Sequence, residues 1–307
     1  MPELPDLTIY LEALERRVLG APLEHIRIAS AFVLRSTAPP LATLEGRSVR
    51  ALSRLGKRIV VELDAEHFLV MHLMIAGRLR WKAAGSPIPR RLGLAALDFP
   101  AGTVLFTEAG RKHRAGLWAV HGRDTLRLHD PGGLEPLSAS PEAFRQALTR
   151  ENHTLKRALT DPRLFSGIGN AYSDEILHAA RLSPLKLTAR LDAEETRRLF
   201  EAARMTLTTW TARLRTQTGD RFPEKVTAFR DGMAVHGRFR LPCPACGAPV
   251  QRIRYAENEV NYCAGCQTGG KLLADRGLSR LLKKDWRRTL EGYGDVRDVP
   301  GDRRGSP

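Results

Sequence analysis

The sequence predicts an α+β multidomain chain: an N-terminal helix plus β-sandwich, a helical second half, and a four-cysteine β-hairpin near the C-terminal end. Three observations carry that prediction. From residue 25 to 107 the chain runs through short, β-branched or alternating segments punctuated by Gly and Pro. From residue 140 the apolar spacing becomes helical. All four cysteines fall between residues 243 and 266.

The elements follow in order. Pro5 suits a first helical turn and Asp6 complements its positive end. Leu7, Leu11, Leu14 and Val18 then recur at near-helical spacing, and Gly20 is the stop. Seven strands are expected at His25–Arg35, Ser48–Arg54, Arg58–Leu63, Phe68–Leu73, Arg78–Trp81, Leu94–Phe99 and Thr103–Thr107, enough for a sandwich or flattened barrel. Asp130-Pro131-Gly132-Gly133-Leu134-Glu135-Pro136 reads as a connection. Ser140 caps a helix with Pro141 at its first position. Further helices are expected at Asn152–Thr160, Asn170–Ala180 and Ala193–Arg215, the last opened by Asp192 and Glu195 at capping-box spacing. Residues 216–235 return to loop. The expected units are 1–130, a 131–139 linker, 140–235, 236–267 and a 268–307 extension. In the extension, Leu278, Leu281, Leu282 and Trp286 would line one face of a short basic helix before a Gly-, Asp-, Arg- and Pro-rich disordered end.

Composition narrows the partners. The 307 residues are 42% hydrophobic, enough for real cores, and carry a formal net charge of +15. An excess of that size is suited to neutralising phosphates, so nucleic acid is the expected partner. No apolar run approaches about 20 residues, so no membrane span is expected. Glu3 and Asp6 stand where a secretory signal would be basic, which points to the cytoplasm.

Cys243-Pro-Ala-Cys246 and Cys263-Ala-Gly-Cys266 lie 16 residues apart. Two such knuckles predict one tetrahedral Zn2+ held by four thiolates, structural because no ligand position stays open. A rubredoxin-like iron site, or a ribbon bracing a protein contact, are the alternatives. Residues 250–255 and 260–262 alternate like hairpin strands about a turn at Glu257-Asn258.

The first residues carry the chemistry. Once Met1 is removed, Pro2 becomes a secondary amine, and α-amino groups titrate near roughly 7.7–8.0. Such an amine can attack a sugar carbon and form an iminium, and Glu3 beside it can move protons. Taken alone, Pro-Glu-Leu-Pro also reads as a frayed tail before a helix.

The Pro-Glu-Leu-Pro start, the β-rich first half, Gly167-Ile168-Gly169-Asn170-Ala171-Tyr172 opening a helix and the cysteine hairpin together resemble the formamidopyrimidine-DNA glycosylase / endonuclease VIII family over residues 2 to about 267. The resemblance implies a helix–two-turn–helix DNA-binding domain and a bifunctional DNA glycosylase/AP lyase acting in base excision repair. It implies that Pro2 attacks C1′, Glu3 shuttles protons, Lys57 contacts the phosphate near the damage and Asn170 binds the same backbone. His72, Lys156 and Arg157 are further candidates for phosphate contact. The implied partner is double-stranded DNA containing damaged bases or abasic sites, bound by a monomer in a bacterial cytoplasm at the nucleoid.

Departures bear on specificity. Asp6 replaces a usual glutamate. Ile75-Ala76-Gly77 replaces Met-Ser-Gly, making Ile75 the candidate wedge into the emptied stack. Glu108–Arg114 replaces the second wedge loop, leaving Arg111 and Arg114 as candidates. At the hairpin turn Asn258 stands in place of a phosphate-gripping arginine between Glu257 and Glu259, so Arg252 and Arg254 are the candidate substitutes. An AP lyase with little base recognition and a non-catalytic damaged-DNA-binding protein are the rival functions.

Overall fold

The computed structural model describes residues 1–110, 112–224, 226–255 and 258–274. Arg111 and the helix expected at 278–286 lie outside the described residues. Helix α1 (Leu4–Val18) leads into β1 (His25–Ile28), then β2 (Val49–Leu55), β3 (Arg58–Leu63), β4 (His67–His72), β5 (Gly77–Lys82), β6 (Gly93–Phe99), β7 (Gly102–Glu108) and β8 (Gly116–His121). These form two antiparallel sheets, ordered β1-β6-β7-β5 and β2-β3-β4-β8. Between them Ile59, Val61, Leu69, Met71, Leu97, Val104 and Phe106 bury their side chains with Leu7, Tyr10, Leu14 and Val18 of α1.

Two strand assignments change. The expected His25–Arg35 strand stops at Ile28, and Ala31–Val33 makes a 3-10 turn before Arg35 N–H bonds Leu117 O at 2.8 Å. Strand β8 is absent from the expected set because Gly116 and Ala119 dilute its β-forming signal. Pairing with β4 decides it, His72 facing Gly116 and Val70 facing Trp118.

A short α2 (Arg123–Arg127) precedes α3 (Pro141–Thr149), α4 (Leu155–Thr160), α5 (Asn170–Ala179) and α6 (Ala193–Thr218). Asn152 and His153 stay outside α4. Thr154 caps it by accepting from Arg157 N–H, while the Asn152 carbonyl oxygen accepts from Ala189 N–H at 3.3 Å. Asp192 and Glu195 exchange hydrogen bonds of 2.7 and 3.1 Å at the start of α6. Leu4 of α1 joins Phe144, Leu159, Phe165, Ile168, Tyr172, Phe200 and Leu207 in the second core. The connection between the cores is itself anchored: Leu134 N–H bonds Leu164 O, and Glu135 takes both Arg54 and Ser166. Beyond α6, β9 (Val250–Tyr255) and β10 (Asn258–Cys263) form a hairpin closed by α7 (Ala264–Thr268).

Candidate catalytic and nucleic-acid-binding site

The start of the chain is buried where the two cores meet. Pro2 and Glu3 are both inside. The Glu3 carboxylate accepts three backbone N–H groups at the start of α5: Gly169 at 2.6 Å, Ala171 at 2.8 Å and Tyr172 at 3.2 Å. A helix N-terminus presents free N–H groups and a positive dipole end. The Gly-rich opening of α5 is therefore an anion site, and the anion it holds is the protein's own Glu3. Gly169 is required there, since a Cβ would lie 2.6 Å from the Glu3 carboxyl carbon. Leu4 N–H adds a 2.9 Å bond to Gly167 O, closing the junction.

Charged groups ring this point. Burial pulls the Met1 terminal amine below its ordinary value; Glu3 and Asp6 oppose that, while Arg78 and Lys57 reinforce it. Lys57 sits half-buried in the β2–β3 turn, its ammonium also weakened by burial and by Lys156, with Glu3 opposing. Gly56 permits that turn, at φ +58 with Pro131 3.3 Å from where a Cβ would stand. His72 closes β4, and burial beside Arg58 and Lys57 pushes its imidazole down to about 4. It is therefore a neutral hydrogen-bonding group near neutral pH.

Ile75 projects from the tight β4–β5 turn with 55% of its surface exposed. The turn is closed by Gly77 N–H to Leu73 O at 2.8 Å and braced by Arg78, which donates to Ile75 O and Gly77 O at 3.0 and 2.6 Å. Sequence reading misses Arg78; its signal is an arginine directly after the glycine that ends the turn. Arg114 is exposed, and its backbone N–H bonds the buried Glu108 carboxylate at 3.1 Å.

Lys156 departs from expectation. It is 7% exposed and donates to Asn170 O at 2.6 Å and to the buried Asp174. Its ammonium braces the inside of the domain. Arg157, next to it, is exposed. Asn170, the first residue of α5, is half-buried with its side-chain amide in no hydrogen bond among the described residues.

Asp174 and Glu175 tie α5 to the cysteine hairpin and the segment leading into it. Asp174 also accepts from His236 Nδ1 at 2.8 Å and from Asn261 N–H at 3.1 Å, and Glu175 accepts the N–H groups of Ala234, Val235 and His236 at 2.7, 2.9 and 2.9 Å. Sequence reading misses both carboxylates because each looks like ordinary helix-surface charge.

The sulfurs of Cys243, Cys246, Cys263 and Cys266 lie within 4.8 Å of one another. Tetrahedral zinc with Zn–S bonds near 2.3 Å needs sulfurs about 3.8 Å apart; Cys243 to Cys266 is 3.9 Å and Cys246 to Cys263 is 3.4 Å. The donor set fits one Zn2+. Burial pushes the Cys263 thiol up to about 11, and its thiol neighbours add to that; a central cation reverses the trend. His178 of α5 lies with Nε2 3.2 Å from Cys243 Sγ, a contact that orients the ligand from outside.

On the hairpin, Arg252 stacks over Phe239 at 4.3 Å and pairs with Glu259 at 3.5 Å. Turned inward in this way, Arg252 neutralises one of the two carboxylates expected to repel phosphate. Arg254 is exposed. Asn258 opens β10, its side chain lying outside what is described.

Two domain-family descriptions match the chain: formamidopyrimidine-DNA glycosylase N-terminal domain over residues 1–132 and formamidopyrimidine-DNA glycosylase H2TH domain over residues 133–218. The chain is 36% identical over 283 residues to a formamidopyrimidine-DNA glycosylase of Thermus thermophilus, covering 88% of this chain and all of that protein. A crystal structure of the Fpg protein from the same organism superposes with TM-score 0.72 at 32% identity, covering 87% of this chain and 98% of the other. The Lactococcus lactis Fpg bound to abasic-site DNA shares the fold, with TM-score 0.75 at 23% identity over 87% of this chain and 99% of that one.

Proposed function

Because the chain belongs to the formamidopyrimidine-DNA glycosylase family of DNA repair enzymes, we propose that it excises oxidised bases through the nitrogen of Pro2 and then cleaves the abasic site. The observation that carries this reading is the Glu3 carboxylate, fixed by three backbone donors near the Met1 amine, whose basicity burial lowers. An amine of lowered basicity is a usable nucleophile at neutral pH. Removal of Met1 would bring the Pro2 nitrogen into this setting.

The damaged nucleotide first leaves the stack, at a cost of a few kcal/mol that is least for a weakened pair. Exposed Ile75 is positioned to fill the gap. The Pro2 nitrogen attacks C1′ and its N–H proton leaves with the departing base; Glu3, having taken a proton from solvent, passes it to the ring oxygen as the sugar opens to the iminium. The resulting iminium acidifies C2′–H; loss of that proton breaks the C3′–O bond, with a second elimination at C5′ completing the β,δ course. Water hydrolyses the iminium and frees the amine. Lys57 and Asn170 hold the flanking phosphates. Zn2+ bound by Cys243, Cys246, Cys263 and Cys266 supplies cross-linking of the hairpin and takes no part in these steps.

Borohydride reduction of mixtures with duplexes carrying 8-oxoguanine, an oxidised pyrimidine or an abasic site tests the reading. Wild-type protein should leave a trapped adduct on at least one damaged base, and Pro2→Gly or Glu3→Gln should reduce it at least about 100-fold. Trapping confined to abasic DNA would instead identify a lyase with little base recognition. Absence of any adduct from protein lacking Met1 would end the catalytic reading.

A further inference from the structure

The segment after α6 returns across the start of the chain. Arg17 donates to Asp220 O at 2.7 Å, Phe222 packs on Tyr10 at 5.8 Å, and Lys82 pairs with Glu224 at 2.9 Å. Arg230 is the innermost contact. Its guanidinium, 14% exposed, bonds one oxygen of Asp6, whose side chain is 3% exposed. The other oxygen of Asp6 accepts Glu3 N–H at 2.9 Å. Standard backbone geometry then places that oxygen no more than about 7 Å from the Pro2 nitrogen.

We infer that Arg230 is a positioning residue of the reaction, neutralising Asp6 and holding its carboxylate on the Glu3 N–H, so that the nucleophile faces Glu3 and not two competing carboxylates. This rests on the catalytic reading above. The groups facing the Met1 amine, one residue before the Pro2 nitrogen, are Glu3 and Asp6 at the start of α1, Lys57 from the β2–β3 turn, Arg78 from β5 and the neutral His72 from β4. Asp6 itself faces Arg230, Glu3 and the phenols of Tyr10 and Tyr172. Within this set Arg230 is the cation hydrogen-bonded to Asp6. Burial pushes the Asp6 carboxyl up, and Arg230 and the Glu3 N–H pull it back down; a carboxylate left without that cation at this distance would draw a proton onto the amine–carboxylate pair and take the amine's lone pair from the reaction.

Arg78 cannot take over, because its guanidinium is engaged with Ile75 O and Gly77 O. Lys57 is weakened by burial, with Glu3 as the charge that opposes this.

The test is the pH profile of single-turnover borohydride trapping on an abasic duplex, using full-length protein lacking Met1. Arg230→Gln should move the acid limb up by about 1 pH unit and lower trapping about tenfold below it. Arg230→Lys keeps the charge and should retain the wild-type limb. The double variant Asp6→Asn/Arg230→Gln removes both charges and should bring the limb back. A uniform loss at every pH in Arg230→Gln, or a limb that stays displaced in the double variant, would overturn the inference while wild-type trapping leaves the catalytic reading standing. Failure of the wild-type protein to trap would overturn both.

Discussion

The β-sandwich and the cysteine hairpin are held together by different forces. The sandwich closes on a broad apolar core in which Leu97, Val104 and Phe106 meet Leu7 and Leu14 of α1. The described hairpin buries two smaller sets, Ile253, Val260, Tyr262, Ala264 and Leu272 on one side and Val250 and Cys263 with Val235 and Cys243 on the other, and takes its position from directed polar contacts. Asp174 reaches Asn261, Glu175 reaches Val235 and His236, and Gln267 bonds Leu182 O at 2.9 Å. Apolar burial scales with area and tolerates small displacement, whereas buried charge-assisted bonds are few and depend on alignment. A module with little area to bury is therefore placed by carboxylates.

Substitutions on each side should separate these two regimes. Phe106→Ala should destabilise the whole N-terminal unit by about 3–5 kcal/mol, seen as a lowered denaturation midpoint with the unfolding slope unchanged. Asp174→Ala should remove about 3 kcal/mol, because Lys156 and His236 lose a buried partner. That loss should be local: faster amide exchange in β9, β10 and residues 234–236, with β3 and β4 still protected. Equal loss of protection in both sheets would erase the distinction between them. The smallest effect is expected at His178. His178→Phe keeps the ring volume but removes the contact to Cys243 and should speed zinc release to a chromogenic chelator by about tenfold. Unchanged release would show that the contact does not hold the metal.

One helix joins the two regimes. The N-terminus of α5 clamps Glu3, its middle carries Asp174 and Glu175, and its last turn offers His178 to Cys243. The Glu3 carboxylate and the cysteine site are consequently fixed to the same rigid element, a helix of ten residues.

Residue type and short spacing were enough to specify part of this protein. Periodicity marks α1, most of the strands and α6; the paired Cys-x-x-Cys knuckles specify a four-sulfur site; Pro2-Glu3 names an amine beside a carboxyl. Which groups meet across the fold was legible only once the chain was packed. Nothing near Gly169 tells that its anion is Glu3, 166 residues away. Arg230 and Asp6 are 224 residues apart, and either alone reads as solvated charge. Lys156 looks like a phosphate ligand until Asp174 is found beneath it. Local propensity acts over a few bonds, whereas an ion pair or an N–H clamp acts through space, so its partner is set by packing and is invisible to any window of the chain.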